Sequence, residues 1–190
     1  MYIFDFKKQF DIERLGTEQE GEAHFKILRT FILNTPETAN IVFELSGMTV
    51  FSHSYAKQTI AMLCNKLYEG NFQKRHFFIK TKDRSKVEDL EKAMEKVAKP
   101  ILSTTSSNIN NFYENYFVIG PLALNLKYAL EILIQKKKIT TGELAKASSE
   151  SSIQNASNKL RKLEALKLIE RTTPSDRSGN VLSGRRIEVI

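Results

Sequence analysis

Between Ile153 and Leu163 the chain sets amides and cations at helical spacing. At about 100° per residue, Ile153, Ala156, Leu160 and Leu163 fall within roughly one third of a helix circumference. Gln154, Asn155, Asn158, Arg161 and Lys162 are left opposite them, joined by Lys159. Asn and Gln pair bidentately with adenine, and Arg with guanine, along the major-groove edges of base pairs; each good pair contributes on the order of 1 to 3 kcal/mol of discrimination. Such a face equally suits a solvated helix, so the flanking sequence must decide between the two.

The charge balance favours a polyanion. From Pro121 to Ile190 there are thirteen Lys and Arg against seven Asp and Glu, whereas Met1 to Gly120 has sixteen against fifteen. The chain's net charge of +7 is therefore concentrated in its last third. Localised positive charge attracts nucleic acid chiefly through release of condensed counterions.

The elements around the amide-bearing helix form an ordered series. LALNLKYALEILIQKKK reads as an amphipathic helix with Leu126, Leu130 and Leu133 on one face and three lysines at its C-terminal end, where cations suit the helix dipole. Thr140 with Glu143, and Ser151 with Gln154, each have capping-box spacing, so two short helices joined by a tight turn are expected. ALKLIERTTPSDRSGNVLSGRRIEVI then supplies a strand, a turn-rich loop and a returning strand. This order is that of a winged helix. Arg177 falls at the wing tip among Pro174, Ser175, Asp176 and Gly179, and Arg185 and Arg186 at the base of the returning strand, all suited to backbone phosphates. The stretch LRKLEALKLIERTTPSDRSG resembles the MarR-type winged-helix regulators over about fifty residues. The long dimerisation helices that those proteins carry at both ends are not seen here, so the resemblance extends to the DNA-binding module alone.

The front of the chain alternates compact β-type runs with helical patterns, the signature of an α/β layer. YIFDF, IVFEL and HFFIK read as strands; Thr17 with Glu20 caps a helix bearing Phe25, Leu28, Phe31 and Ile32. Tyr55, Ile60, Leu63, Cys64 and Leu67 mark a second helix, and Val87, Leu90, Met94 and Val97 a third, ended by Pro100. STTSSNINN, Ser103 to Asn111, reads as a loop near the domain boundary, and NYFVIGP either closes the front domain or bridges to the next.

VFELSGMTVFSHSYAKQTIAML, Val42 to Leu63, resembles the central strand, turn and helix of the STAS domain found in sulphate transporters and anti-sigma-factor antagonists. In such antagonists a serine at the helix start is phosphorylated by a histidine-kinase-like ATPase, and by position that serine is Ser54 here. Ser52 stands where antagonists carry an acidic residue, and Tyr55 where they carry a small one. The resemblance implies a phosphate-accepting Ser54 at a helix N-terminus; plain capping by Ser52 and Ser54 is the competing reading. His53 between them is expected to be an exposed turn residue.

Other chemistries find little in the sequence. Cys64, the only cysteine, sits among apolar residues and reads as a buried thiol; His24, His53 and His76 lack ligand spacing. No phosphate-cradling glycine loop or nucleophile motif occurs, so neither an enzyme nor a bound cofactor is expected. No run of apolar residues is long enough to cross a membrane, and a cytoplasmic protein is expected.

The expected organisation is a STAS-like α/β domain, a small mixed sheet with helices, over residues 1–118, followed by a winged helix-turn-helix over 119–190. The expected function is transcriptional regulation through double-stranded DNA, with a homodimer doubling the contacts. Two rival expectations stand beside it: a protein-interaction adaptor in a partner-switching or phage-defence system, and a sensor that holds a small ligand at its strand ends to control the same winged helix.

Overall fold

Short β-branched and aromatic runs, too brief for helices, become the strands of the front unit. In the computed structural model its elements run β1 (Tyr2–Asp5), α1 (Phe6–Phe10), β2 (Arg14–Leu15), α2 (Glu18–Leu33), β3 (Asn40–Glu44) and β4 (Val50–Phe51). They continue with α3 (His53–Ala56), a π-helical turn (Lys57–Ala61), α4 (Met62–Tyr68), β5 (His76–Lys80), α5 (Arg84–Met94), β6 (Ile101–Thr104), a 3-10 turn (Ile109–Asn115) and β7 (Tyr116–Ile119). The structure describes residues 1–72, 74–97, 99–106, 108–149, 152–172 and 186–189. The chain divides into two compact units, Met1–Pro121 and Leu122–Ile190.

The front unit is α/β. Its main sheet has the order β1-β3-β5-β6-β7, with the first four strands parallel and β7 antiparallel. Because each parallel strand lies beside its predecessor, right-handed crossovers place every connecting helix on the same face. Phe4, Ile41, Phe43, Phe77, Ile79 and Ile101 form that face's core with Leu28 and Ile32 of α2, Tyr55, Leu63 and Leu67 of the middle helix, and Leu90 and Met94 of α5. Val42, Phe78 and Leu102 point the other way yet are buried; the Phe112 ring meets Phe78 edge-on at 5.0 Å from the 3-10 turn. β2 and β4 pair in a small parallel sheet of their own.

Two glycines allow close approaches. Gly21 sits where a Cβ would lie 2.7 Å from the Gln58 Cβ and 3.2 Å from the Tyr55 carbonyl, so α2 packs tightly on the middle helix only without a side chain there. Gly120 has φ +89°, and a Cβ would lie 2.7 Å from the Lys99 carbonyl oxygen. It turns the chain out of β7.

The stretch read as a polar loop differs from that reading. Ser103 and Thr104 belong to β6 and are fully buried, with the Thr104 hydroxyl donating to the Phe112 carbonyl at 2.8 Å. NYFVIG closes the front sheet, since Tyr116–Ile119 pairs with Ile101–Thr104 in antiparallel register.

At the carboxyl ends of the parallel strands, charged side chains are paired among themselves. Lys80 bridges Glu44, and Lys86, nearly fully buried, bridges Asp83. Hydrogen bonds from Lys86 and Ser85 hold the Asp83 carboxyl down to about 2.

Candidate nucleic-acid interface

The back unit has an aliphatic core without a single phenylalanine. Its elements are α6 (Leu124–Lys136), β8 (Lys138–Thr140), α7 (Thr141–Ala147), α8 (Ile153–Ala165), β9 (Ile169–Thr172) and β10 (Arg186–Val189). Leu126, Ala129, Leu130 and Leu133 of α6 are buried with Leu144 of α7 and Ala156, Leu160 and Leu163 of α8. The three helices pack on one another, and β8, β10 and β9 form an antiparallel sheet with β10 in the middle.

Local sequence fixes the starts of α7 and α8. Thr140 and Glu143 make the reciprocal capping box: the Thr140 hydroxyl accepts from the Glu143 N–H at 3.2 Å, and the Glu143 carboxylate accepts from the Thr140 N–H at 2.7 Å. The cap of α8 is Ser152, whose hydroxyl accepts from the Asn155 N–H at 3.2 Å. Ser151, which the spacing offered for that role, lies outside the described residues. The cap falls on Ser152 because α8 begins at Ile153, one residue later than a Ser151 cap implies.

That start also corrects the apolar stripe. Ile153 is 64% exposed, whereas Ala156, Leu160 and Leu163 are buried. Ile153 is the first residue of α8 and stays mostly exposed, so the core stripe begins a turn later.

Gln154, Asn155, Asn158, Arg161 and Lys162 are all exposed on α8, while Lys159 is half-buried at its flank. The Gln154 amide donates to the Asn158 side-chain oxygen at 3.2 Å, linking successive turns. The helix therefore presents a continuous amide ridge beside two cations. Ile153 adds an apolar tip at its leading end, a feature that helical periodicity had assigned to the core.

After α8, Lys167 takes a left-handed conformation at φ +54° and the Leu168 N–H donates to the Leu163 carbonyl at 3.1 Å, delivering buried Leu168 and Ile169 into β9. Arg186 opens β10, in register with Thr140 on one side and Thr172 on the other. Arg177 and Arg185 lie outside the described residues.

A second basic feature was legible only as a dipole complement. Lys136, Lys138 and Lys146 border one groove beside Ile139 and Glu143, at the corner where α6 gives way to β8. The turn is made at Lys137, whose φ is +62°.

In the front unit the serines of the middle helix separate in role. The Ser52 hydroxyl accepts from the Tyr55 N–H at 3.2 Å and donates to the Gly16 carbonyl at 2.6 Å, so Ser52 alone is the cap. Ser54 is half-buried in the first helical turn, and its hydroxyl bonds no described residue. His53 is half-buried in that same turn rather than exposed in a loop, because α3 begins at this residue. Tyr55 is buried, its hydroxyl 3.0 Å from the His24 Nδ1, while the His24 ring stacks on Phe10 at 3.7 Å. Burial lowers the His24 pKa below its ordinary value, against the opposing pull of Glu20. Burial likewise pushes the Cys64 thiol up to about 12, which leaves it un-ionised at neutral pH.

Among the described residues no three His, Cys, Asp or Glu side chains converge as a metal cage, and no helix is long and apolar enough to cross a membrane. Comparison with protein-family models, with curated proteins and with solved structures gives no match to this chain.

Proposed function

We infer that the chain is a DNA-binding transcriptional regulator in which the unit Leu122–Ile190 is a winged helix and α8 is its recognition helix. The observation that carries this reading is the exposed amide and guanidinium ridge of α8, mounted on buried Ala156, Leu160 and Leu163 within the most basic part of the chain. A helix about 10 to 12 Å across fits the major groove, where Asn155, Asn158 and Arg161 reach base edges and Ile153 offers apolar contact to a thymine methyl. Lys159, Lys162 and Arg186, with Arg177 and Arg185, serve backbone phosphates, which anchor without reading sequence.

The front unit in this reading is STAS-like and receives the signal. Ser54, in the first turn of the middle helix and with a hydroxyl that bonds no described residue, is the position where a kinase of the histidine-kinase-like ATPase class would add a dianion.

Fluorescence anisotropy with the full chain and a random-sequence duplex tests the reading. Binding at about 50 mM salt is expected, weakening steeply as salt rises. No binding at that salt overturns the assignment.

A further inference from the structure

Among the described residues the outer edge of the front sheet is unpaired. There β1 pairs only with β3, and its residues Tyr2, Ile3, Phe4 and Asp5 include no proline, lysine or bulge of the kind that blunts an edge strand, the one charge being Asp5 at its end. Tyr2 is 42% exposed and Ile3 47%. Beside the strand, α2 turns a flank of Ala23, Ile27, Thr30 and Asn34 outward at helical spacing, with Ile27 42% exposed. Between strand and helix runs a groove of about 370 Å³ whose floor is Phe4, Ile27 and Phe31, with Gln9, Lys26 and Thr30 among the polar residues at its margin. Polar backbone, apolar side chains and an apolar recess thus occur together along one edge.

We propose that this edge is the interface with a second copy of the chain, the two β1 strands pairing antiparallel about a two-fold axis and the two α2 helices packing side by side above them. The occupant follows from symmetry and area. Rotating β1 about a two-fold axis normal to the sheet brings it antiparallel to itself, so one patch satisfies both copies and the assembly closes. The sixteen residues of α2 span about 24 Å, and one helix layer over one sheet edge is roughly 20 Å high, giving a footprint of about 500 Å² per copy and about 1,000 Å² in all, the lower limit for a specific association. Small Ala23 at the flank lets the helices approach, and Ile27 of each copy enters the other's groove. Ile3 and its counterpart meet on the opposite face of a continuous ten-stranded sheet, since Ile3 is in register with Val42 and points away from α2.

The proposal names the partner and surface of the homodimer that the regulatory reading expects, and its test needs no DNA. Sedimentation velocity of the full chain at micromolar concentration is expected to give one species of twice 21.8 kDa. The double variant Ile3→Lys, Ile27→Glu, at two exposed positions, should self-associate ~10-fold or more weaker while its circular dichroism and melting stay those of wild type. Ile3→Cys should form a covalent dimer under mild oxidation, because Cys64 is buried and un-ionised, whereas Leu124→Cys, highly exposed elsewhere, should not. A monomeric wild type, a mass that grows without limit with concentration, a dimer that persists in the double variant, or equal cross-linking at both cysteines overturns the proposal. Loss of DNA binding alone leaves it standing, and a dimer that ignores DNA sinks only the regulatory reading.

Discussion

The two units solve the same packing problem with different residues. All twelve phenylalanines lie before Pro121, and none lies after it. In the front unit Phe6 alone packs its ring within 5.0 to 6.3 Å of Phe4, Phe10, Phe43, Phe51 and Tyr55, while Lys80 and Lys86 are matched by Glu44 and Asp83. The back unit buries Leu, Ile and Ala beneath a surface that carries most of the chain's net charge. A large aromatic core with nearly balanced charge gives the front unit a dense interior, whereas the back unit keeps a small aliphatic core beneath surplus cations, which in the regulatory reading present α8 to a polyanion.

The contrast is broken most severely at Phe6. Phe6→Ala removes a fully buried ring and should cost about 3 to 5 kcal/mol, lowering the front unit's calorimetric transition while the transition of Leu122–Ile190 stays put. A shift of both transitions together would show that the two units do not stand apart energetically.

The charge side of the contrast predicts a comparable effect. With five proposed phosphate contacts, Lys159, Lys162, Arg177, Arg185 and Arg186, duplex affinity should fall about 500-fold between roughly 50 and 200 mM salt, measured by anisotropy. A flat salt response would assign the surplus charge to something other than phosphate.

Within α8, reading and anchoring separate. Asn158→Ala or Arg161→Ala should reduce discrimination between cognate and random duplexes by about 1 to 3 kcal/mol, and Ile153→Ala should relax preference at one A·T position. Arg177→Ala and Arg185→Ala should weaken all sequences alike. Uniform losses from every one of these changes would deny α8 the role of reader.

The serines sharpen the front unit's part. Ser52→Ala should cost about 1 kcal/mol in thermal unfolding, because Ser52 is the cap, and Ser54→Ala almost nothing. Ser54→Asp should preserve melting and alter self-association or partner binding; light scattering indistinguishable from wild type would remove Ser54 from any switch.

The smallest effect is on pH. Burial against Phe10 and Tyr55 keeps His24 neutral to lower pH in the folded chain than in the unfolded one. Below an ordinary value of 6.5 the unfolded chain takes up protons more readily, so stability should decline as pH falls through that range. His24→Gln should flatten that limb of a melting-against-pH profile.

How much of this was legible in the sequence depended on whether a segment's own residues or its neighbours set its state. HFFIK became a strand over the residues its pattern indicated, and Thr17 with Glu20 caps α2, because each signal is local. Ser103 and Thr104 misled because short hydroxyl side chains favour turns in isolation, yet here they fill a central strand with Thr104 bonded across to the Phe112 carbonyl. Ile153 misled through periodicity, which places a residue on a face without telling whether anything packs there. On the candidate reader, the outward amides followed from the same periodicity and are exposed, whereas the Ser152 cap depended on a helix start that spacing alone left one residue too early.

The π-helical turn at Lys57–Ala61 carries a further consequence. It interrupts a helix that begins at His53 and continues to Leu63 and Leu67, both buried in the core. Deleting one residue within the turn would restore regular winding but rotate everything downstream by about 100°. Leu63 and Leu67 would leave the core, or Ser54 and Tyr55 would leave their present bearing. The extra residue is thus a phase adjuster: it allows one rod to seat its far half in the sheet's core while its near half aims in a direction that ordinary helical winding forbids.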